Sequence, residues 1–145
     1  MLPTQLPQIK QPLIAIVDDD GSVCRAIKRL VRGLGMSAET YVNGAEFLDL
    51  LEALPSFQPD CVVLDVHMPG MDGIEVQASL RRARRAIPVI FMTAHDDVVV
   101  RTQALASGAV ALLSKPFGDD LFIRTLNAAL SGSDGKTGTQ TTGTL

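Results

Sequence analysis

Five short apolar runs, each followed by a stretch of helical periodicity, constrain this chain more than any other feature of its 145 residues. Leu13 to Val17 is apolar at every position, as a strand buried on both faces must be. Val23, Ile27, Leu30, Val31 and Leu34 then recur at helical spacing, and Gly35 closes that helix. Ala38 to Val42 predicts a second, less apolar strand; Phe47, Leu48, Leu51 and Leu54 predict a second helix that Pro55 stops. Cys61 to Leu64 predicts a third strand, leading through Met68-Pro69-Gly70-Met71-Asp72-Gly73 into a helix from Ile74 to Arg85. Val89 to Met92 and Val110 to Leu113 predict the last two strands. Asp96 to Ser107 predicts the fourth helix, and Phe117, Leu121, Phe122, Leu126 and Ala129 line the fifth.

Strict alternation of strand and helix implies a parallel sheet with helices on both faces. Such sheets bind ligands beyond the carboxyl ends of their strands, so the chemistry is to be sought there. The alternating unit covers about Pro12 to Leu130, one domain with a full-sized core. With no Trp, one Tyr and five Phe, that core must be built mainly from Val, Leu, Ile and Ala. Residues 1–11 form a lead-in interrupted by Pro3 and Pro7. The segment 131–145 holds four Gly and five Thr, too little apolar surface to offset its ordering entropy, and is expected to be a flexible tail or linker.

Several function classes are disfavoured at this point. A formal charge of −3 argues against a surface built to wrap nucleic acid, and the run Arg81, Arg82, Arg84 and Arg85 reads as a solvated helix end. Cys24 and Cys61 are too few and too far apart for a disulfide framework or a zinc site. No stretch approaches the ~20 apolar residues of a membrane span, and the N-terminus lacks the order of a signal peptide. The cytoplasm is the expected compartment, with no membrane and no direct nucleic-acid partner.

The strand ends carry a distinctive set. Asp18, Asp19 and Asp20 follow the first strand, Asp65 the third, Thr93 the fourth, and Ser114-Lys115-Pro116 the fifth. Asn43-Gly44, at the end of strand two, reads as an ordinary helix start. One of Asp19 and Asp20 is expected to cap the first helix, but a cap does not explain Asp65 on a different strand. Carboxylates gathered in one cleft raise each other's pKa unless a cation offsets them. Carboxylates, a carbonyl and water are the ligand set of Mg²⁺. A carboxylate can be a nucleophile, giving an acyl phosphate. A metal and an ammonium then neutralise phosphoryl oxygens, and a hydroxyl donates to one of them.

The segments IVDDD, LDVHMPGMDG, MTAHDD and SKPF, in this order and spacing, resemble the receiver domain of two-component response regulators, nearest the subgroup often joined to a helix-turn-helix output domain. The resemblance covers about Leu13 to Leu130 and implies a flavodoxin-like α/β fold, a five-stranded parallel sheet of order 2-1-3-4-5. It implies that Asp65 is the phospho-acceptor and that Asp18, Asp19 and Asp65, with the backbone carbonyl of His67, hold Mg²⁺ or Mn²⁺. Thr93 matches the switch hydroxyl, Lys115 the lysine that contacts the phosphoryl group, and Lys115-Pro116 a bond that is cis in the family. Met68-Pro69-Gly70 and Asp72-Gly73 fit a tight turn in which Gly supplies positive φ.

Three features are particular to this sequence. Where many receivers carry Tyr or Phe, three residues before the lysine, Leu112 stands: a smaller lever without a hydroxyl, coupled to the switch together with Pro116. The chain's two histidines, His67 and His95, flank the site where the family tunes the lifetime of the acyl phosphate. Val98, Val99 and Val100 lower the helix propensity of the fourth helix, which suits either a bistable element or a run buried under neighbouring chain.

The resemblance thus implies a phosphorelay switch, not an enzyme in the usual sense, that helps catalyse its own phosphorylation and dephosphorylation. Its partners would be a sensor histidine kinase or phosphotransfer protein and a downstream protein or output domain, with a phosphorylation-dependent homodimer as a further form. An aspartyl-nucleophile phosphatase would want a second Asp two residues after Asp65, where His67 stands. A nucleotide-binding module would want a glycine fingerprint after the first strand, and none follows. A receiver-shaped module that takes no phosphate would have lost part of the acidic set or the lysine, and all are present.

Overall fold

The computed structural model describes residues 11–132, so most of the lead-in and most of the expected tail lie outside the described residues. Ten elements alternate: β1 (Leu13–Val17), α1 (Gly21–Gly33), β2 (Ser37–Tyr41), α2 (Gly44–Ala53), β3 (Cys61–Asp65), α3 (Gly73–Arg82), β4 (Val89–Thr93), α4 (Val98–Ala106), β5 (Ala111–Ser114) and α5 (Asp119–Ser131). The strands form one parallel sheet of order β2-β1-β3-β4-β5. This is the flavodoxin-like α/β arrangement.

The two-residue period of a strand divides the core in two. Ala15, Val17, Val62, Leu64, Val89, Phe91 and Leu112 join Phe47, Leu51, Val76, Leu80 and Ala104 from α2, α3 and α4. The alternate positions Ile14, Ile16, Cys61, Val63, Ile90, Met92 and Leu113 join α1 and α5 through Cys24, Ile27, Val31, Phe122, Leu126 and Ala129. Burial on both faces is why these strands are apolar at successive positions.

Caps set the helix starts. Asp20, Asn43, Asp72 and Asp97 each accept a backbone N–H from the first turn of α1, α2, α3 and α4, and Asp72 and Glu75 complete a capping box. The expected fourth-helix start at Asp96 therefore moves to Val98, because Asp97 is the cap and Asp96 is engaged elsewhere. Gly35, at φ 85°, closes α1 in keeping with its position, its N–H donating to Arg32 O at 3.0 Å.

The third helix ends at Arg82 and not Arg85. Arg84 turns to φ 58°, and the Arg85 guanidinium swings out to donate to the carbonyls of Leu51 and Phe57 and to Gln58 Oε1. Arg81 donates to Ser107 O at 2.8 Å, beyond the end of α4. Part of the basic run is therefore a strap between elements.

Most of the valine run is not buried under neighbouring chain: Val98 and Val99 are 80% and 64% exposed, Val100 is half-buried against the core, and Ala104 is the buried residue of α4. The helix lies on the sheet through a small apolar contact, with polar ties at its ends.

Candidate phosphoryl site

The site lies at the carboxyl edge, where β1 and β3 pair directly. Asp18 follows β1 and is fully buried; Asp65 ends β3 and is 4% exposed; Asp19 faces solvent. Carboxylate oxygens of the three lie within 4.8 Å of one another. Asp18 is held from several sides. Its N–H donates to Tyr41 O at 3.1 Å, its Oδ1 accepts from Asp20 N at 2.9 Å, and its carbonyl accepts from Cys24 Sγ at 3.3 Å.

Lys115 reaches in from the end of β5. Its Nζ donates to Asp18 Oδ2 at 2.8 Å and lies 3.4 Å from Asp65 Oδ1. Its backbone N–H donates to Thr93 O at 2.7 Å, tying it to β4, and the Lys115-Pro116 bond is cis. Thr93 is buried, and its Oγ1 accepts from the His95 N–H at 3.0 Å, leaving the hydroxyl proton to donate.

The electrostatics follow. Burial and then the Asp18 charge push the Asp65 carboxyl up to about 7, against the pull of Lys115. Burial opposes the Lys115 ammonium, but its hydrogen bond to Asp18 and the charges of Asp65 and Asp18 prevail and hold its pKa above the usual value. One ammonium faces three carboxylates, so the pocket is short of positive charge. A close set of oxygen donors with an unmet demand for cation fits a hard dication.

The expected positive φ of the turn glycines holds at Gly70, with φ 78°, but not at Gly73. Gly73 opens α3 directly against the site: its N–H donates to Val66 O at 2.8 Å. A Cβ there would stand 2.4 Å from Asp65 O and 3.0 Å from Val66 Cα. These are backbone atoms and cannot rotate away. Gly73→Ala is expected to destabilise the protein by about 3 kcal/mol and to displace Asp65. Urea unfolding measures the first, and a fall in the extent of labelling by a phospho-donor the second.

One further arrangement escapes sequence reasoning. Asp96 accepts from Ser114 Oγ and, at 3.2 Å, from Arg101 Nε, tying the β4–α4 loop to β5 and α4. Nothing in the spacing of polar residues announces it, because partners from separate loops meet only on folding. Leu112, singled out in the sequence, is buried in the α2–α3–α4 side of the core.

An acidic triad and a lysine at the carboxyl edge of this sheet define a phospho-acceptor class of protein. The family model of the response regulator receiver domain matches residues 14–127. The chain belongs to that family, and as a receiver domain it is a phospho-acceptor signalling module of two-component systems, not a conventional enzyme. It is 37% identical over 123 residues to the DNA-binding transcriptional regulator NtrC of Escherichia coli (strain K12), covering 85% of this chain and 26% of that protein. It is 36% identical over 118 residues to response regulator protein TodT of Pseudomonas putida, covering 81% of this chain and 51% of that protein. The chain thus spans only about a quarter to a half of these curated relatives' length. The crystal structure of a response regulator receiver protein from Burkholderia phymatum superposes with a TM-score of 0.76 at 61% identity, covering 83% of this chain and 95% of that one.

Proposed function

We propose that Asp65 accepts a phosphoryl group from a histidine kinase or phosphotransfer protein, in a cytoplasmic signalling switch whose folded unit is residues 12–130. The observation that carries this reading is the placement of one ammonium, Lys115 Nζ, 2.8 Å from Asp18 Oδ2 and 3.4 Å from Asp65 Oδ1. It holds the acceptor carboxylate from one side and is placed to meet incoming phosphoryl oxygens.

Asp18, Asp19, Asp65 and the His67 carbonyl would hold Mg²⁺, or Mn²⁺, which supplies positive charge against the phosphoryl oxygens. Asp65 attacks phosphorus as the carboxylate while the P–N bond to the donor's phosphohistidine breaks and its imidazole leaves; Lys115 neutralises a phosphoryl oxygen, and the Thr93 hydroxyl turns to donate to another. That turn disturbs the His95 N–H contact, and the β4–α4 loop carries the change to α4 and β5, with Leu112 repacking beneath. His67 and His95, both exposed at the rim, set the lifetime of the acyl phosphate by governing water access. The output is a protein partner, a homodimer or a further domain. NtrC is named as DNA-binding, but the carboxylates and net charge here favour protein readout by this unit. Among the described residues no helix is long and apolar enough to cross a membrane.

Incubation with Mg²⁺ and acetyl phosphate is expected to add one phosphoryl mass to the intact protein, and none to the Asp65→Ala variant. No mass gain would point instead to an interaction module of this shape, and a gain that survives Asp65→Ala would reject Asp65 as the acceptor.

A further inference from the structure

Just past the carboxyl ends of β3 and β4, the two histidines of the chain meet. His67 follows β3 and His95 follows β4; their rings stand edge-to-face with centroids 5.6 Å apart and planes at 69°. Both side chains are exposed. Their backbones are fixed: His67 lies between the buried residues Val66 and Met68, and Val66 N–H donates to Met92 O at 2.9 Å. The backbone N–H of His95, rather than its ring, donates to Thr93 Oγ1.

We infer that His67 and His95 form a second cation site at the mouth of the pocket, taking a borderline transition-metal dication such as Zn²⁺ through one nitrogen of each imidazole, with water completing its shell. This goes beyond the proposed function, which assigns the two rings only to water access.

Three observations support the site. Two imidazoles on one tetrahedral Zn²⁺, each with a Zn–N bond of about 2.0–2.1 Å, place their ring centroids roughly 5 Å apart. The observed centroid separation of 5.6 Å lies close to this. The pocket behind the rings holds three carboxylates against one lysine, which raises the local concentration of any dication. Ligand chemistry then sorts the ions: carboxylates, carbonyl and water suit Mg²⁺, and imidazole suits Zn²⁺, Ni²⁺ or Cu²⁺. An ion held by both rings would cross-tie the β3–α3 and β4–α4 loops across the mouth.

The test uses the unphosphorylated full chain carrying Asp65→Asn, which weakens competition from the carboxylates and keeps both histidines. Its outcome is therefore independent of whether Asp65 accepts phosphate. Because the chain has two histidines, each ring gives its own NMR signals. Zn²⁺ added alone is expected to shift both sets with one common midpoint at submillimolar concentration. His67→Gln or His95→Gln should each weaken Zn²⁺ binding at the remaining ring at least about tenfold. Separate midpoints for the two rings overturn the inference, as does an unchanged midpoint in either single variant or the absence of any shift at millimolar Zn²⁺.

Discussion

Metal-free protein is expected to lose stability as pH rises from about 4 to about 7, and Asp65→Asn is expected to abolish most of that loss. The folded carboxyl sits at about 7 and its ordinary value is 3.8, raised by burial first and the Asp18 charge second. Between these values the folded state binds more protons at this position than the unfolded state, so stability falls with rising pH and levels off above the folded pKa. A shift of this size on a buried group corresponds to a loss on the order of 4 kcal/mol. Asn has no charge to bury beside Asp18. The variant should therefore be the more stable protein at about pH 8 and no more stable than the parent at about pH 4. Mg²⁺ added at the higher pH should stabilise the parent more than the variant, because the parent alone offers the third carboxylate. Urea unfolding across this range, with chelator and with Mg²⁺, measures each part. A parent whose metal-free stability is flat from about pH 4 to about pH 8 would remove the basis for a raised Asp65 pKa.

The same carboxylates show why so much of the site is legible in the sequence. Asp18, Asp65 and Thr93 stand immediately after apolar runs and Lys115 one residue further on, and a buried strand both announces its position and fixes where its last side chain points. Sheet order then needs only the alternation of elements and the resemblance of four segments. What the sequence does not disclose depends on contacts between loops. Arg85 reads as one more charge on a helix, until Arg84 turns the chain and the guanidinium finds carbonyls of another segment. Gly73 reads as a turn former, although its small size matters because Asp65 O lies where a Cβ would go. His67 and His95 are 28 positions apart by number, and only the adjacency of β3 and β4 brings their rings together. Periodicity reports which face of an element is buried; it carries no information about which polar groups from separate loops will meet.

Lys115→Met is expected to destabilise the protein strongly in the absence of metal, and the effect should depend on pH in a direction that identifies its cause. The methionine keeps the stem of the side chain and removes the one ammonium that faces both Asp18 and Asp65. Breaking one partner out of a buried ion pair leaves uncompensated charge, which here costs roughly 3 kcal/mol at about pH 8. The lysine's pKa is raised in the folded state because the hydrogen bond to Asp18 and the charges of Asp65 and Asp18 outweigh its burial. Its contribution is therefore fully present below its ordinary pKa of 10.5 and is lost only as pH rises through the higher folded value. In the variant, Asp65 has lost its nearest cation and takes up a proton at still higher pH, so the deficit should shrink as pH falls. Mg²⁺ should also reduce it, since a cation shared by the carboxylates replaces the missing charge. A loss caused merely by poorer packing would be the same at every pH and indifferent to Mg²⁺. Unfolding of the variant and parent at low and high pH, with and without Mg²⁺, therefore separates the ammonium's electrostatic role from the space it fills.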